Sequence, residues 1–333
     1  MTRIAVLGSS GAAAHLATIL KEDPRVTEIV RGLSNDPAPA IFASDVVVGP
    51  RNTDPETERA AAAAAIAARV PYLSTAASPE VAEALIGLHG RAVDAGTLVV
   101  SGMSWSPGVS NLMAVMAAAE LEPPISIRIS WAISSARQTA EAALARGAGA
   151  LSGPAYVIRR GALQTEPAGG GSELVFMPEP VGWVPLRLVR ATEPLTLRRS
   201  LPGLQELVVL GGLVEPLANR LASFPGANKL TSRLSEKAMS FAGKLKQPHP
   251  WSALRVDATG GQEGITTTIS LGIVDQLSNL LTAPVVVGAL TLAELGVDKA
   301  GVLAPEDLFD PANFFARLAY QGVRLARLER AVP

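Results

Sequence analysis

Cysteine is absent from the 333 residues, and with it go disulfides, thiolate nucleophiles and thiolate-ligated metals. The absence fits a reducing compartment. Histidine is almost as scarce: His15, His89 and His249 are the only three, they lack ligand-like spacing, and each reads as a helix-surface or loop residue. No metal site is expected. Blocks of like charge are also missing, with 29 Lys and Arg against 30 Asp and Glu for a net charge of −1, so no surface is suited to tracking phosphates and nucleic acid is not an expected partner. Two catalytic signatures are absent as well. None of Tyr72, Tyr156 and Tyr320 has a lysine four residues on, which removes the short-chain reductase proton relay, and no G-x-S-x-G nucleophile elbow occurs.

Uninterrupted membrane-spanning runs are lacking too. Ala95 to Ala119 carries no charge and is long enough to cross a bilayer, but its centre, Gly102-Met103-Ser104-Trp105-Ser106-Pro107-Gly108, reads as a loop between a strand and a helix. Gln276 to Ala293 is interrupted by Pro284. From Met1 and Thr2 the chain passes directly into the apolar run Ile4 to Leu7, without the regions a secretory signal needs. The expectation is a cytoplasmic protein with no membrane partner.

What is there alternates strand and helix. Arg3 to Leu7 is a short apolar run closed by Gly8, and Gly11 onward is Ala- and Leu-rich with helical spacing. Val26 to Val30 and Asp45 to Val48 read as further strands, the latter closed by Gly49-Pro50. Asp54-Pro55 has the chemistry of a helix start, continued by Ala60 to Ala65. Tyr72 to Ala76 follows as a strand, Ser78-Pro79-Glu80 as a helix start leading to about Asp94, and Thr97 to Val100 as a strand. Such alternation predicts a parallel sheet covered on both faces.

After Pro123-Pro124 the pattern becomes α+β. Ile125 to Ile133 reads as a strand, Arg137 to Ala145 as a helix, and Tyr156 to Ile158 with Ala162 to Thr165 as a hairpin. Gly169-Gly170-Gly171 is either a mobile loop or a surface connection. Leu204 to Ala222 reads as an apolar helix, either core or subunit contact; Leu254 to Ala258 and Ile265 to Ile269 as paired strands; Leu271 to Leu281 as a helix; and Asp310-Pro311 as the start of an amphipathic stretch reaching Leu328. The fold class is therefore α/β, a parallel sheet with an α+β region as an insert or second domain. A homodimer through that insert is the expected assembly.

The strongest local motif is Gly8-Ser9-Ser10-Gly11-Ala12-Ala13-Ala14, a GxxGxxA turn after the first strand. Small residues there let the backbone approach a pyrophosphate, whose charge is met by helix N-terminal amides; a tight turn without a ligand would use the same glycines. At the end of the second strand, an acid binds the adenosine ribose and a base accommodates a 2′-phosphate. Arg31 stands there, so NADP is the expected cofactor with NAD as the alternative; a solvated strand end is the plain reading of the same residue.

Several stretches carry a family resemblance. Pro71-Tyr72-Leu73-Ser74-Thr75-Ala76-Ala77-Ser78-Pro79-Glu80, and Ala95-Gly96-Thr97-Leu98-Val99-Val100-Ser101-Gly102-Met103 continuing through Trp105-Ser106-Pro107-Gly108-Val109-Ser110-Asn111-Leu112, resemble saccharopine dehydrogenase-like proteins. So do Gly301 to Glu306 and Phe314 to Ala319 with Gly322 near the C-terminus. The resemblance implies a nicotinamide-dependent oxidoreductase whose Rossmann-type domain is formed by residues 1–122 and 280–333, with an α+β substrate or dimerisation domain inserted at 123–279. Pyrophosphate would lie on Gly8, Ser9, Ser10, Gly11 and Ala12, and Gly49, Pro50, Ser74, Thr75, Gly102 and Met103 would border the cofactor and the reacting carbon.

Three features depart from the family pattern. Ser34 to Ala43 is too short for the usual second crossover helix and an additional strand, Ser106 stands where Asp precedes Pro-Gly, and Ser74 stands where Asp is common. They point either to an altered substrate or to a changed redox role. Trp105, Ser106, Arg128 and Arg137 are the candidate substrate contacts, each arginine able to clamp a carboxylate or phenolate or simply to form a surface ion pair. Two arginines are too few for saccharopine's carboxylates. The first reading is hydride transfer between NADP and a C=O, C=N or conjugated C=C of a mostly apolar small molecule. The alternatives are a non-redox cyclase, isomerase or dehydratase using the same pocket, and a non-catalytic dinucleotide sensor. No residue is assigned as the proton donor.

Overall fold

The computed structural model describes residues 2–51, 53–135, 149–215, 250–295 and 299–328. In chain order its elements begin β1 (Thr2–Leu7), α1 (Gly11–Glu22), β2 (Val26–Gly32), α2 (Ala38–Phe42), β3 (Val46–Val48), α3 (Pro55–Ala68), β4 (Tyr72–Leu73), α4 (Pro79–Ile86), α5 (His89–Ala95), β5 (Leu98–Val100) and α6 (Val109–Ala118). They continue with β6 (Glu122–Ile133), β7 (Pro154–Arg159), β8 (Ala162–Pro167), β9 (Glu173–Met177), β10 (Gly182–Leu188), α7 (Glu193–Ser200), β11 (Leu204–Leu213), β12 (Trp251–Gln262) and β13 (Ile265–Gln276). The last are α8 (Leu277–Glu294), β14 (Gly301–Leu303), α9 (Pro305–Leu308), α10 (Pro311–Tyr320) and β15 (Ala326–Arg327). Contacts divide the chain into one unit of Met1–Leu112 with Leu281–Gln321 and another of Met113–Leu280 with Gly322–Pro333. The residues from Gly322 thus lie with the second unit.

The first unit is built on a parallel sheet of order β14-β5-β4-β3-β1-β2. Its inner strands are short and largely apolar, Val46-Val47-Val48 and Ile4 to Leu7 being buried, as a sheet covered on both faces requires. From β1 the chain steps outward to β2, then returns past β1 to β3, so strand order reverses between β1 and β3. That reversal opens a crevice at the carboxyl ends of the two strands, the place where open α/β sheets hold ligands. Only the five-residue α2 lies between β2 and β3, and β2 is the edge of the sheet. The short second crossover read from Ser34 to Ala43 is thus a physical truncation of this side.

Local sequence sets where the helices start. Ser10 Oγ accepts the Ala13 amide, Asp54 Oδ1 the Thr57 amide and Ser78 Oγ the Val81 amide, each satisfying a donor that a helix N-terminus leaves open. The apolar segment read as broken at Pro284 is one helix, α8, which continues through the proline. It is the one helix among the described residues long and apolar enough to cross a membrane, and 61 % of it is buried in the fold.

The second unit carries a mixed sheet of order β15-β13-β12-β6-β11-β10-β9, with the β7–β8 hairpin joined through β11. Two hairpins close on two-residue turns, Arg160-Gly161 and Glu263-Gly264, in which both residues have positive φ. This is the twist that matches flanking strands. The glycine run connects β8 to β9 and is fastened there: Gly169 donates its amide to Leu188, and Arg187 Nη1 donates to the Gly169 and Gly171 carbonyls at 3.0 and 2.8 Å.

Three expectations are corrected here. Leu204 to Leu213 is the strand β11, flanked by β6 and β10, rather than the start of a helix; from Leu207 on it is apolar and buried with little alternation, which hides the strand period, and the segment from 216 lies outside the described residues. Leu271 to Gln276 completes the twelve-residue β13, whose ladder with β12 extends the strand beyond Ile269. The amphipathic stretch after Pro311 ends at Tyr320; Gly322 takes φ +87°, and Ala326–Arg327 pairs with β13. Arg137 to Ala145 lies outside the described residues.

Candidate functional site

Gly8 leaves β1 with φ +108°, a conformation that side chains with a Cβ adopt only under strain. A Cβ there would sit 3.6 Å from Pro50 Cβ and 3.8 Å from both Ala13 Cβ and Ser34 Oγ. The turn therefore faces the end of β3 across the crevice. Gly11 opens α1, and a Cβ on it would meet nothing within 4 Å. Packing does not demand glycine at that position, whereas a group approaching the first helical turn would. Ser9, Ser10, Gly11 and Ala12 are all exposed.

Arg31, exposed near the end of β2, donates from Nη2 to the Gly8 carbonyl at 2.7 Å. Its guanidinium thus stands on the turn itself. On the other side of the crevice, Thr75 Oγ1 reaches the Gly49 and Pro50 carbonyls, at 3.4 Å each. Arg51 Nη2 donates to Leu281 O at 2.5 Å, tying the same loop to α8. Ser74 joins β4 to β5 by donating its amide to Val100 O, and its own carbonyl accepts the Met103 amide at 2.7 Å.

Behind these strand ends lies a buried polar cluster. Glu58 on α3 is fully buried, and its Oε1 accepts the Ser74 hydroxyl at 2.5 Å. The buried Tyr72 hydroxyl lies close to the same carboxyl, yet neither Tyr72 Oη nor Glu58 Oε2 has a hydrogen-bond partner of good geometry. Gly49 is the residue that makes room: a Cβ would fall 2.3 Å from Tyr72 Oη and 2.9 Å from Glu58 Oε1. Burial pushes the Glu58 carboxyl up to about 7, against the opposing pull of the Ser74 hydrogen bond and the nearby Tyr72 hydroxyl. Burial, with the adjacent Glu58, also pushes the Tyr72 phenol well up, so it stays neutral.

The loop after β5 turns on Gly102 and Gly108, with φ +85° and +113°. Asn111 holds it: Oδ1 accepts the Gly108 amide at 3.0 Å while Nδ2 donates to Glu306 Oε1 on α9 at 2.8 Å. Met103 is fully buried against Gly288 of α8, so only its backbone belongs to the strand end. Trp105 is 5 % exposed, a core position rather than an open wall. Ser106 is half-buried before Pro107. Arg128 lies on β6 in the second unit and is ion-paired with Glu173, and Arg137 lies outside the described residues.

No protein-family profile matches the chain, and no curated protein matches it. Solved structures do. The apo, histidine-tagged saccharopine dehydrogenase (L-Glu forming) of Saccharomyces cerevisiae aligns over 99 % of this chain and 100 % of its own length, with TM-score 0.67 and 13 % identity. The fold is saccharopine dehydrogenase-like. The DAP dehydrogenase of C. glutamicum in complex with DAP aligns over 92 % of this chain and 93 % of its own, with TM-score 0.51 and 14 % identity. A meso-DAP dehydrogenase variant from Clostridium tetani E88 aligns over 95 % of each, with TM-score 0.52 and 10 % identity. At such identities the likeness is one of architecture.

In this saccharopine dehydrogenase-like fold the first unit gathers Gly8 to Ala12, Arg31, Gly49-Pro50, Ser74-Thr75 and the Gly102-Met103 backbone along one end of the sheet. Sequence reasoning missed Glu58. Its signal was present: Glu58, Ala61, Ala62, Ala65 and Ile66 fall on one helical stripe, all buried, and a carboxylate on an alanine face is out of place unless it has a task.

Proposed function

We propose that this chain is an oxidoreductase using a nicotinamide dinucleotide, NADP in preference to NAD, on a C=O, C=N or conjugated C=C of a mostly apolar small molecule. The observation that carries the reading is the Gly8–Gly11 turn at the strand-order reversal, with open space over Gly11 and the Arg31 guanidinium on the Gly8 carbonyl. These residues fit a dinucleotide. Gly8, Ser9, Ser10, Gly11 and Ala12 would hold the pyrophosphate through amides at the start of α1, where the helix favours negative charge and its first turn brings no acidic side chain. Arg31 would take a 2′-phosphate, having further N–H donors beyond the one spent on Gly8. Gly49-Pro50 and Ser74-Thr75 would border the remaining length of the ligand.

When bound, the nicotinamide gives or takes the hydride. The chain's own part is to fix the ligand's position and to limit access of water at the strand ends. Support comes also from the solved structures of similar fold, two of which are described as a saccharopine dehydrogenase and a DAP dehydrogenase. A homodimer through the second unit belongs to the same proposal, to be checked by sedimentation. The primary test is fluorescence titration of the purified chain with NADPH and NADH, alongside Gly11→Asp, which puts a carboxylate into the open space. Tight NADPH binding lost in the variant supports the reading; binding of neither cofactor at millimolar concentration overturns it.

A second reading has its own observation. With β2 at the sheet edge and α2 only five residues long, the adenosine side is abbreviated. A non-redox enzyme holding its substrate over the same strand ends would need no adenosine pocket, and the absence of cofactor binding would bring that reading forward.

A further inference from the structure

Buried carboxyl groups are costly, and α3 could have carried alanine at position 58 as it does at 61, 62 and 65. Glu58 instead reaches the back of two strand ends together. Its Oε1 accepts the Ser74 hydroxyl at 2.5 Å and lies 2.9 Å from where a Gly49 Cβ would be. Ser74 Oγ in turn accepts the Ala76 amide at 3.3 Å, so the turn after β4 hangs on this contact. Two fully buried atoms beside it, Glu58 Oε2 and Tyr72 Oη, have no partner of good geometry. A single hydrogen bond between them would serve both in either protonation state, a neutral carboxyl donating to the phenol oxygen or an ionised one accepting from the phenol, so what sets the protonation state is burial.

The ionised form has hydroxyls to accept from but no cation to offset its burial. Only two neutral hydroxyls, Ser74 and Tyr72, act on the carboxyl. Of the elements packed on α3, α2 and β5 carry no titratable side chain. The titratable groups of α4 (Glu80, Glu83) and α5 (His89, Arg91, Asp94) have no resolved effect on it, and nor do Glu56 and Arg59 of α3 itself. A buried charge without a cation is relieved by admitting water, which means parting the strand ends that enclose it.

We infer that Glu58 is a proton-dependent positioning residue: neutral, it holds the strand ends at Gly49 and Ser74 in the arrangement that borders the ligand, and ionised, it loosens them. The purpose of this device rests on the dinucleotide reading above; the device itself does not. The carboxyl's displacement to about 7 places the transition in the accessible range.

The test is hydrogen exchange on the ligand-free full chain at about pH 6 and about pH 9, expressed as protection factors so that intrinsic pH dependence cancels. The amides of Gly49, Ala76 and Met103, bonded to Leu73 O, Ser74 Oγ and Ser74 O, report the strand ends, and Ile4 in β1 serves as reference. Protection of the three falls by about tenfold or more relative to Ile4 on going to high pH, and NADPH affinity falls with it. Glu58→Gln, which keeps an acceptor for Ser74 and cannot ionise, abolishes the response. Equal protection at both pH values in the wild-type chain overturns the inference, whatever the nucleotide does. A pH response in protection with no NADPH binding at either pH supports the device and overturns the dinucleotide reading.

Discussion

Arg31 Nη2 donates to the Gly8 carbonyl at 2.7 Å across the first two strands of the sheet, so the residue expected to select the cofactor is already fixed against the turn expected to carry its pyrophosphate. The contact couples selectivity to the shape of the turn. Arg31→Ala should weaken NADPH by about tenfold or more, the scale of a charge-assisted hydrogen bond, and NADH by much less. Parallel titrations measure the ratio, and equal losses for the two cofactors would remove Arg31 from the selective role.

The two turn glycines should behave differently. Gly8→Ala forces a Cβ onto φ +108°, at a cost on the order of 1–3 kcal/mol. Gly11→Ala enters open space in a helical position and should change stability by less than about 1 kcal/mol, in the stabilising direction. Urea denaturation separates them. A stability loss at Gly11 as large as that at Gly8 would contradict the geometry.

Gly49→Ala should destabilise the fold by about 1–3 kcal/mol through overpacking, since its Cβ would lie 2.3 Å from Tyr72 Oη. Tyr72→Phe removes that atom and should restore part of the loss, leaving the contacts with the ring Cζ and the Glu58 carboxyl at 2.8 and 2.9 Å. A double-mutant cycle by denaturation reads the coupling, and strict additivity of the two changes would show that the side chains do not meet.

Stability should fall with pH because of Glu58. The unfolded carboxyl ionises near 4.5 and the folded one at about 7, so in that window the native state holds a proton that the unfolded state has lost. The stabilisation linked to that proton is complete below the lower value and gone above the upper one. It changes by roughly 1.4 kcal/mol per pH unit and totals about 3 kcal/mol. Glu58→Gln should lack this component, so that its stability relative to wild type improves from about pH 5 to about pH 8. A difference independent of pH would mean that Glu58 does not take up a proton on folding.

Much of the first unit was legible because its signals are local: Gly8 after an apolar run, Asp54-Pro55 and Ser78-Pro79 as helix starts, and valines closed by Gly49-Pro50. The second unit was harder. Leu204 to Leu213 has its parallel partner, β6, far off in sequence, whereas Leu271 to Gln276 is the far half of a hairpin strand; in both, runs buried without a break, Val209 to Leu213 and Ile269 to Ile273, erase the alternation that marks a half-exposed strand. At the site, the strand-end glycines announced themselves by composition, whereas Met103 and Trp105 could not be sorted into core or lining without knowing that α8 packs Gly288 against Met103. Glu58 was readable in principle from its helical stripe but stands in a run dominated by alanine.

The pairing of β14 with β5 and of β15 with β13 also constrains how the chain is made. Each sheet receives a strand from beyond residue 300, so a ribosome that has released the first half of the chain has completed neither. Until those strands emerge each sheet lacks an edge strand, the first waiting on a long-range contact, Leu98 with Gly301, and the second on a nearer one, Leu271 with Arg327. Such topologies fold slowly and expose sticky edges while they wait. Demand for chaperones during translation should therefore be concentrated late, when residues 301–328 emerge.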